Sequence, residues 1–166
     1  MKLLFLGDIV GKSGRDAVLK HLPALKTAHS PDCIIVNAEN AAHGFGITKT
    51  IASELFDAGV HVVTTGNHIW DKHEVLAYIS QEKRLIRPQN YPAHLPGSGL
   101  CEIETIKGQK VVVINIMGRL FMDPLDDPFA CIDTLLKPYN LGRNAHAIFI
   151  DGDGEVAAHQ MVIENE

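Results

Sequence analysis

Cys33-Ile34-Ile35-Val36-Asn37-Ala38-Glu39-Asn40-Ala41-Ala42-His43-Gly44 runs from apolar side chains straight into an acid, amides and an imidazole. A short apolar run bounded in this way reads as a buried strand whose end presents ligand-type groups. In open α/β sheets, ligands bind just beyond the carboxyl ends of the strands. Two other runs end alike. Leu3-Leu4-Phe5-Leu6 leads into Gly7-Asp8, and Val60-His61-Val62-Val63-Thr64 leads into Gly66-Asn67-His68. Three strand ends could therefore gather Asp8, Glu39, Asn40, Asn67 and His68.

Helical patterns separate these runs. Arg15 to His29 carries Ala17, Val18, Leu22, Leu25 and Ala28 close to helical period, with Ser13 as a candidate N-cap and Pro23 as a candidate kink. Thr48 to Ala58 reads as a helix capped by Thr48 and closed by Gly59. A short helix follows around Glu74 to Ser80. The β-α-β-α-β order implies a parallel sheet with right-handed crossovers. Further on, the proline- and glycine-rich stretch Arg87 to Gly99 reads as a surface loop. Leu100 to Ile106 and Val111 to Ile116 read as an antiparallel hairpin. After a loop from Gly118, Pro128 opens a helix to about Lys137, and Ala145 to Ile150 is another buried strand. Asp151-Gly152-Asp153-Gly154 signals a turn, and Glu155 to Ile163 has the composition of a returning strand. No linker interrupts the chain, so residues 1–166 are expected to form a single domain.

The 166 residues are 46% hydrophobic and carry 15 basic against 20 acidic side chains, a net charge of −5. That balance gives no footprint for duplex nucleic acid. No apolar run is long enough for a membrane span, and the opening Met1 to Leu6 is too short for a signal sequence. Cys33, Cys101 and Cys131 are widely spaced and odd in number. They read as reduced core thiols of a cytoplasmic protein.

Asp8 and Glu39 are hard anionic donors, Asn40 and Asn67 add amide oxygens, and His68, His43, His61 and His73 offer imidazoles. Such a mixed oxygen and nitrogen set suits Mn, Fe or Zn better than a thiolate site would. Two cations at such a site can clamp a phosphate and generate a hydroxide nucleophile. The plainer reading makes Asp8 a cap, Asn40 and Asn67 turn residues, and His61 a sheet-face residue. Neither GxGxxG, GxxxxGK[ST] nor GxSxG is present.

Motifs in series carry a resemblance. Gly7-Asp8-Ile9-Val10-Gly11 with Gly14-Arg15, Asn37 to Gly44, and Gly66-Asn67-His68-Ile69-Trp70-Asp71 are followed in order by Arg87 to Pro92, Gly118-Arg119 and Pro124 to Phe129. Together they resemble the bacterial 2',3'-cyclic-nucleotide 2'-phosphodiesterases of the calcineurin-like metallophosphoesterase superfamily. The resemblance implies an α/β fold, a metallophosphoesterase-like mixed sheet flanked by helices. It also implies a dinuclear site holding two divalent cations (Mn, Fe, Mg or Zn). Asp8 would bind one cation, Glu39 would bridge both, Asn67 would bind the second with Asn40 close by, and His68 would be the catalytic imidazole. The expected reaction is hydrolysis of a small phosphodiester, such as a 2',3'-cyclic nucleotide, by a metal-bound hydroxide.

One departure accompanies the resemblance. Where the family has Phe-His after the strand matching Ala145 to Asp151, this chain reads Gly152-Asp153, and no later Gly-x-His-x-His motif follows. The expectation is a C-terminally truncated relative lacking up to three imidazole ligands, with Asp153 and His159 as substitute ligands. Weak, cation-supplemented activity and a homodimer covering the shortened sheet are expected. The competing expectation is a weakly active or inactive relative acting as a binding or regulatory protein.

Overall fold

The computed structural model describes residues 1–154 and the strand 159–164. Among the described residues, seven strands form two sheets, and four α-helices accompany them, of which α3 (Val75–Tyr78) is a single turn. The first is parallel, in the order β1 (Leu3–Leu6), β2 (Cys33–Asn37), β3 (Val62–Thr64). The second is mixed, in the order β4 (Leu100–Glu104), β5 (Lys110–Met117), β6 (Ala147–Asp153), β7 (His159–Glu164). Its β5 and β6 run parallel, while β4 and β7 are antiparallel to their neighbours.

Side-chain alternation along the strands explains the layering, because successive residues point to opposite faces. Cys33, Ile35 and Val62 of the first sheet, with Leu3 and Phe5, meet Val111, Val113 and Phe149 of the second. The rings of Phe5 and Phe149 lie 5.0 Å apart in this inner layer. The other faces are covered by helices. Leu4, Leu6, Ile34 and Val36 pack under α1 (Gly11–His29) and α2 (Lys49–Asp57). Val112, Ile114, Ile116, Ile148 and Ile150 pack under α4 (Pro128–Leu136) through Ile132, Leu135 and Leu136. The order of layers is helix, sheet, sheet, helix. Burial of both faces is why β2 and β5 read as continuous apolar runs.

Local chemistry sets most helix ends. Thr48 Oγ1 accepts from Ile51 N–H at 3.2 Å to start α2, as its sequence suggests. Asp127 Oδ1 accepts from Phe129 N–H at 2.9 Å, with Pro128 at the first turn of α4. The first helix departs from expectation. It begins at Gly11 behind Val10, which offers no side-chain cap, so Ser13 lies inside it. Pro23 also sits within one continuous helix, where burial of the adjacent Leu22 and Val18 outweighs the lost N–H bond. The turn expected at Asp151-Gly152-Asp153 is likewise corrected. These residues extend β6, held in register with Asn115-Ile116-Met117 of the longer β5. The returning strand is present as β7. Among the described residues, no helix is long and apolar enough to cross a membrane.

Both sheets present their parallel strand ends on one side. A buried network ties those ends together. Asp151 of β6 is 1% exposed and accepts from Asn37 Nδ2 at 3.1 Å and from Thr64 Oγ1, which end β2 and β3. Asn115 of β5 returns the contact, accepting from Thr65 N–H at 3.1 Å. Charge-assisted bonds to a buried carboxylate are strong and directional. The relative position of the two sheets at this end is therefore closely defined.

Candidate active site

Asp8, Glu39, Asn40, Asn67, His68 and Asp153 line one open cleft of about 310 Å³, floored by Asn37 and Asp151. All five primary residues singled out in the sequence come together here, as does the first substitute, Asp153. His159 begins β7 opposite Gly152, but its side chain lies outside the described residues. His43 and His73 stand exposed outside the cleft lining, and His61 lies at the other end of β3.

Each element delivers its residue for a local reason. Beyond β1 the chain turns at Gly7, and Asp8 adopts a left-handed conformation with φ of 37°. A short polar side chain such as Asp tolerates this better than most. Asn40 Nδ2 donates to Asp8 Oδ1 at 2.8 Å. The amide is thereby oriented with Oδ1 away from Asp8, and that oxygen is buried without a partner among the described residues. Beyond β3 the chain passes Gly66 into a 3₁₀ turn, Asn67–Trp70. His68 donates its backbone N–H to Glu39 Oε2 at 3.3 Å. Its ring Nδ1 lies 2.8 Å from Asp71 Oδ2, one turn later. A carboxylate on one ring nitrogen fixes the tautomer and the ring plane, leaving Nε2 for chemistry.

The two acids at the centre are crowded. Glu39 is 5% exposed, and a methyl group on Gly66 would lie 2.2 Å from Glu39 Oε2 and 2.0 Å from Asp153 Oδ2. Both carboxyls therefore close over the bare Gly66 Cα. Burial pushes the Glu39 carboxyl well above the usual carboxylate range, and the facing Asp153 adds to the shift. Burial raises Asp153 as well, with Asp151 contributing. Two carboxylates this close and largely withdrawn from water cannot both ionise cheaply unless a proton or a cation sits with them.

The donor set bears on what that cation would be. Asp153 Oδ2 and Asn40 Oδ1 are both buried oxygens without hydrogen-bond partners among the described residues. With Glu39, Asp8 and Asn67 they form an all-oxygen set, which fits a hard divalent ion such as Mg²⁺ or Mn²⁺. Among the described residues, no three His, Cys, Asp or Glu side chains are gathered tightly enough to hold an ion by themselves. Two of the five donors are neutral amides, so the arrangement suits a loosely held ion.

Sequence reasoning missed four contributors. Gly66 makes the close approach of the acids possible, Asp71 braces His68, and Asp151 ties the strand ends. Phe45 stands edge-on to the His68 ring at 5.0 Å. Gly66 and Asp71 carried a signal, since both belong to the motif that follows β3.

The chain is similar to several known proteins. Residues 4–165 match the family described as YmdB-like protein. A 2',3'-cyclic-nucleotide 2'-phosphodiesterase of Bacillus subtilis is 40% identical over 163 residues, covering 98% of this chain and 61% of that protein. A putative phosphatase/phosphodiesterase of Mycoplasma pneumoniae is 35% identical over 96% of this chain and 57% of its own length. The crystal structure of a hypothetical protein from Thermus thermophilus superposes with a TM-score of 0.84 at 39% identity, over 93% of this chain and 58% of that one. A Mycoplasma pneumoniae structure described as a novel phosphatase gives 0.82 at 32% identity, over 93% and 56%. The chain thus spans about three-fifths of the length of the relatives it matches.

Proposed function

This chain belongs to the YmdB-like family, and from that premise we propose that it hydrolyses small phosphodiesters, 2',3'-cyclic nucleotides among them. In this reading the cleft holds divalent cations through Asp8, Glu39, Asn40, Asn67 and Asp153. The observation that carries the reading is the pair of crowded acids, buried Glu39 and half-buried Asp153, closed over Gly66 beside an imidazole braced by Asp71. When bound, a divalent cation would polarise the phosphoryl oxygens and offset their charge.

The chain's own groups supply the remainder. The Asp71 carboxylate holds Nδ1 of His68 at 2.8 Å, so Nε2 is the nitrogen able to hand a proton to the departing ester oxygen. Water adds to phosphorus as the opposite P–O bond breaks, the Nε2 proton neutralises the departing alkoxide, and the proton released by the attacking water passes to solvent, from which the imidazole is reprotonated. The Asn40–Asp8 hydrogen bond keeps the amide oxygen facing inward. Asp153 stands where the resemblance calls for an imidazole, which converts that corner from nitrogen to oxygen donation. A cleft of about 310 Å³ admits a mononucleotide-sized ester.

The test is a cation titration by calorimetry together with a 2',3'-cyclic AMP hydrolysis assay on the purified chain. The expected result is loose Mn²⁺ or Mg²⁺ binding and hydrolysis that depends on added cation. Glu39→Gln should lower both by at least about tenfold. The same substitution should raise the melting temperature of the metal-free protein, because it removes one of two crowded carboxyls. A chain that binds no cation and cleaves no diester would refute the reading and favour a binding or regulatory protein.

A further inference from the structure

Phe45 is 57% exposed although it belongs to a tightly built loop. Single exposed apolar residues are ordinary on protein surfaces. Two features set this one apart. Its ring packs edge-to-face on His68, centroids 5.0 Å apart at 67°, so it stands at the rim of the cleft. Its loop is also fixed from several sides. Gly44 N–H donates to Asn40 O at 3.1 Å, Ala42 N–H to Gly46 O at 2.8 Å, and Arg15 Nη1 to Ala41 O at 3.1 Å. The loop accepts left-handed backbone at His43, Gly44 and Gly46, with φ of 62°, 94° and 77°. At Gly46 it presses on the His68–Asp71 turn so closely that a methyl group would lie 3.1 Å from His68 O. The fold therefore holds a phenyl ring beside the imidazole and leaves more than half of the residue exposed.

We propose that Phe45 is a specificity-determining residue: a stacking platform for the nucleobase of a nucleotide ester whose phosphate lies in the adjacent cleft. The inference rests on the phosphoester reading above. An edge-to-face contact with His68 occupies at most one face of the phenyl ring. Every base has a π-face, so such a platform favours nucleotides over sugar phosphates without choosing strongly among bases. A ring already fixed by its loop loses little freedom on binding.

The test compares binding by calorimetry of adenosine monophosphate and of the ribose phosphate that carries its phosphate at the same position. The wild-type chain should prefer the nucleotide by about tenfold. Phe45→Ala should bring that ratio close to one, and Phe45→Trp should preserve it. Phe45→Leu keeps an apolar contact for His68 but offers no ring, so it should behave like the alanine variant. Melting temperatures confirm that the variants fold. A wild-type chain without preference, an alanine variant that retains it, or equal weakening of both ligands would overturn the proposal; the last would leave Phe45 as a prop for His68. Hydrolysis of 2',3'-cyclic AMP is scored separately. Cleavage without base preference defeats this inference alone, and base preference without cleavage defeats the phosphodiesterase reading alone.

Discussion

At Gly66 a methyl group would fall 2.0 Å from Asp153 Oδ2 and 2.2 Å from Glu39 Oε2, well inside contact distance. The backbone there has φ of −155°, so alanine meets no left-handed strain, and the clash with the acids decides the outcome. Gly66→Ala must push one or both carboxylates away from the position they share. Misplacement of reacting or ligating groups by about 1 Å costs on the order of 10²-fold. The expected result is a loss of cation affinity and of kcat/KM by at least about tenfold, with a stability cost of about 1–3 kcal/mol from overpacking. Calorimetric titration with Mn²⁺ and urea unfolding read the two effects. Wild-type cation binding in the alanine variant would show that Glu39 and Asp153 are not the paired ligands. Glycine stands here because the acids need the room, and a sequence shows the glycine without showing what approaches it.

Two strands begin in the same way at the element scale. His61, just ahead of β3, donates its backbone N–H to Ile34 O at 2.8 Å, and its ring Nδ1 accepts from Ile34 N–H at 3.0 Å. His146, just ahead of β6, does the same with Lys110, at 2.8 Å through the backbone and 3.0 Å through the ring. Each imidazole takes up a strand N–H beyond the point where parallel pairing starts, an otherwise unmet donor. The arrangement needs an unprotonated Nδ1. Burial holds His61 below the ordinary histidine value, and Lys26 and Arg84 add to the shift. A histidine whose folded pKa is lowered binds fewer protons folded than unfolded. Its contribution is therefore present above about pH 6.5 and is lost as pH falls through the lowered folded value. His61→Asn substitutes an acceptor that does not titrate, so the variant should lose less stability than wild type between about pH 7 and 5. Melting temperatures measured across that range check it, and parallel curves would dismiss the role. The helix signals at Thr48 and Pro128 were legible because caps act within a few residues. These histidine clamps were not, because each partner strand lies far away in sequence.

For the whole molecule, the contact between the two sheets positions the site. Phe149 is 2% exposed in the inner layer, against Phe5. Phe149→Ala should destabilise the chain by about 3–5 kcal/mol, as large-to-small changes in packed cores do. Urea unfolding measures it, and a cost under about 1 kcal/mol would mean that the sheets can close over the gap. Sequence alone located the strands, except that it read residues 151–153 as a turn rather than the end of β6, and it showed which chemical groups would follow the first three, because apolar runs and the side chains that follow them are local facts. Asp8, Glu39, Asn40, Asn67 and His68 were therefore legible as a cluster, and the series of motifs pointed to the family. The division into two sheets was not legible. Strands buried on both faces show no alternation, so nothing in β2 or β5 records which face meets helix and which meets sheet. For the same reason, only the tertiary structure brought Asp153 against Glu39, tied Asp151 to Asn37 and Thr64, and stood Phe45 beside His68. Those contacts join segments whose separation along the chain is bridged by packing, and packing is a property of the assembled layers rather than of any one stretch.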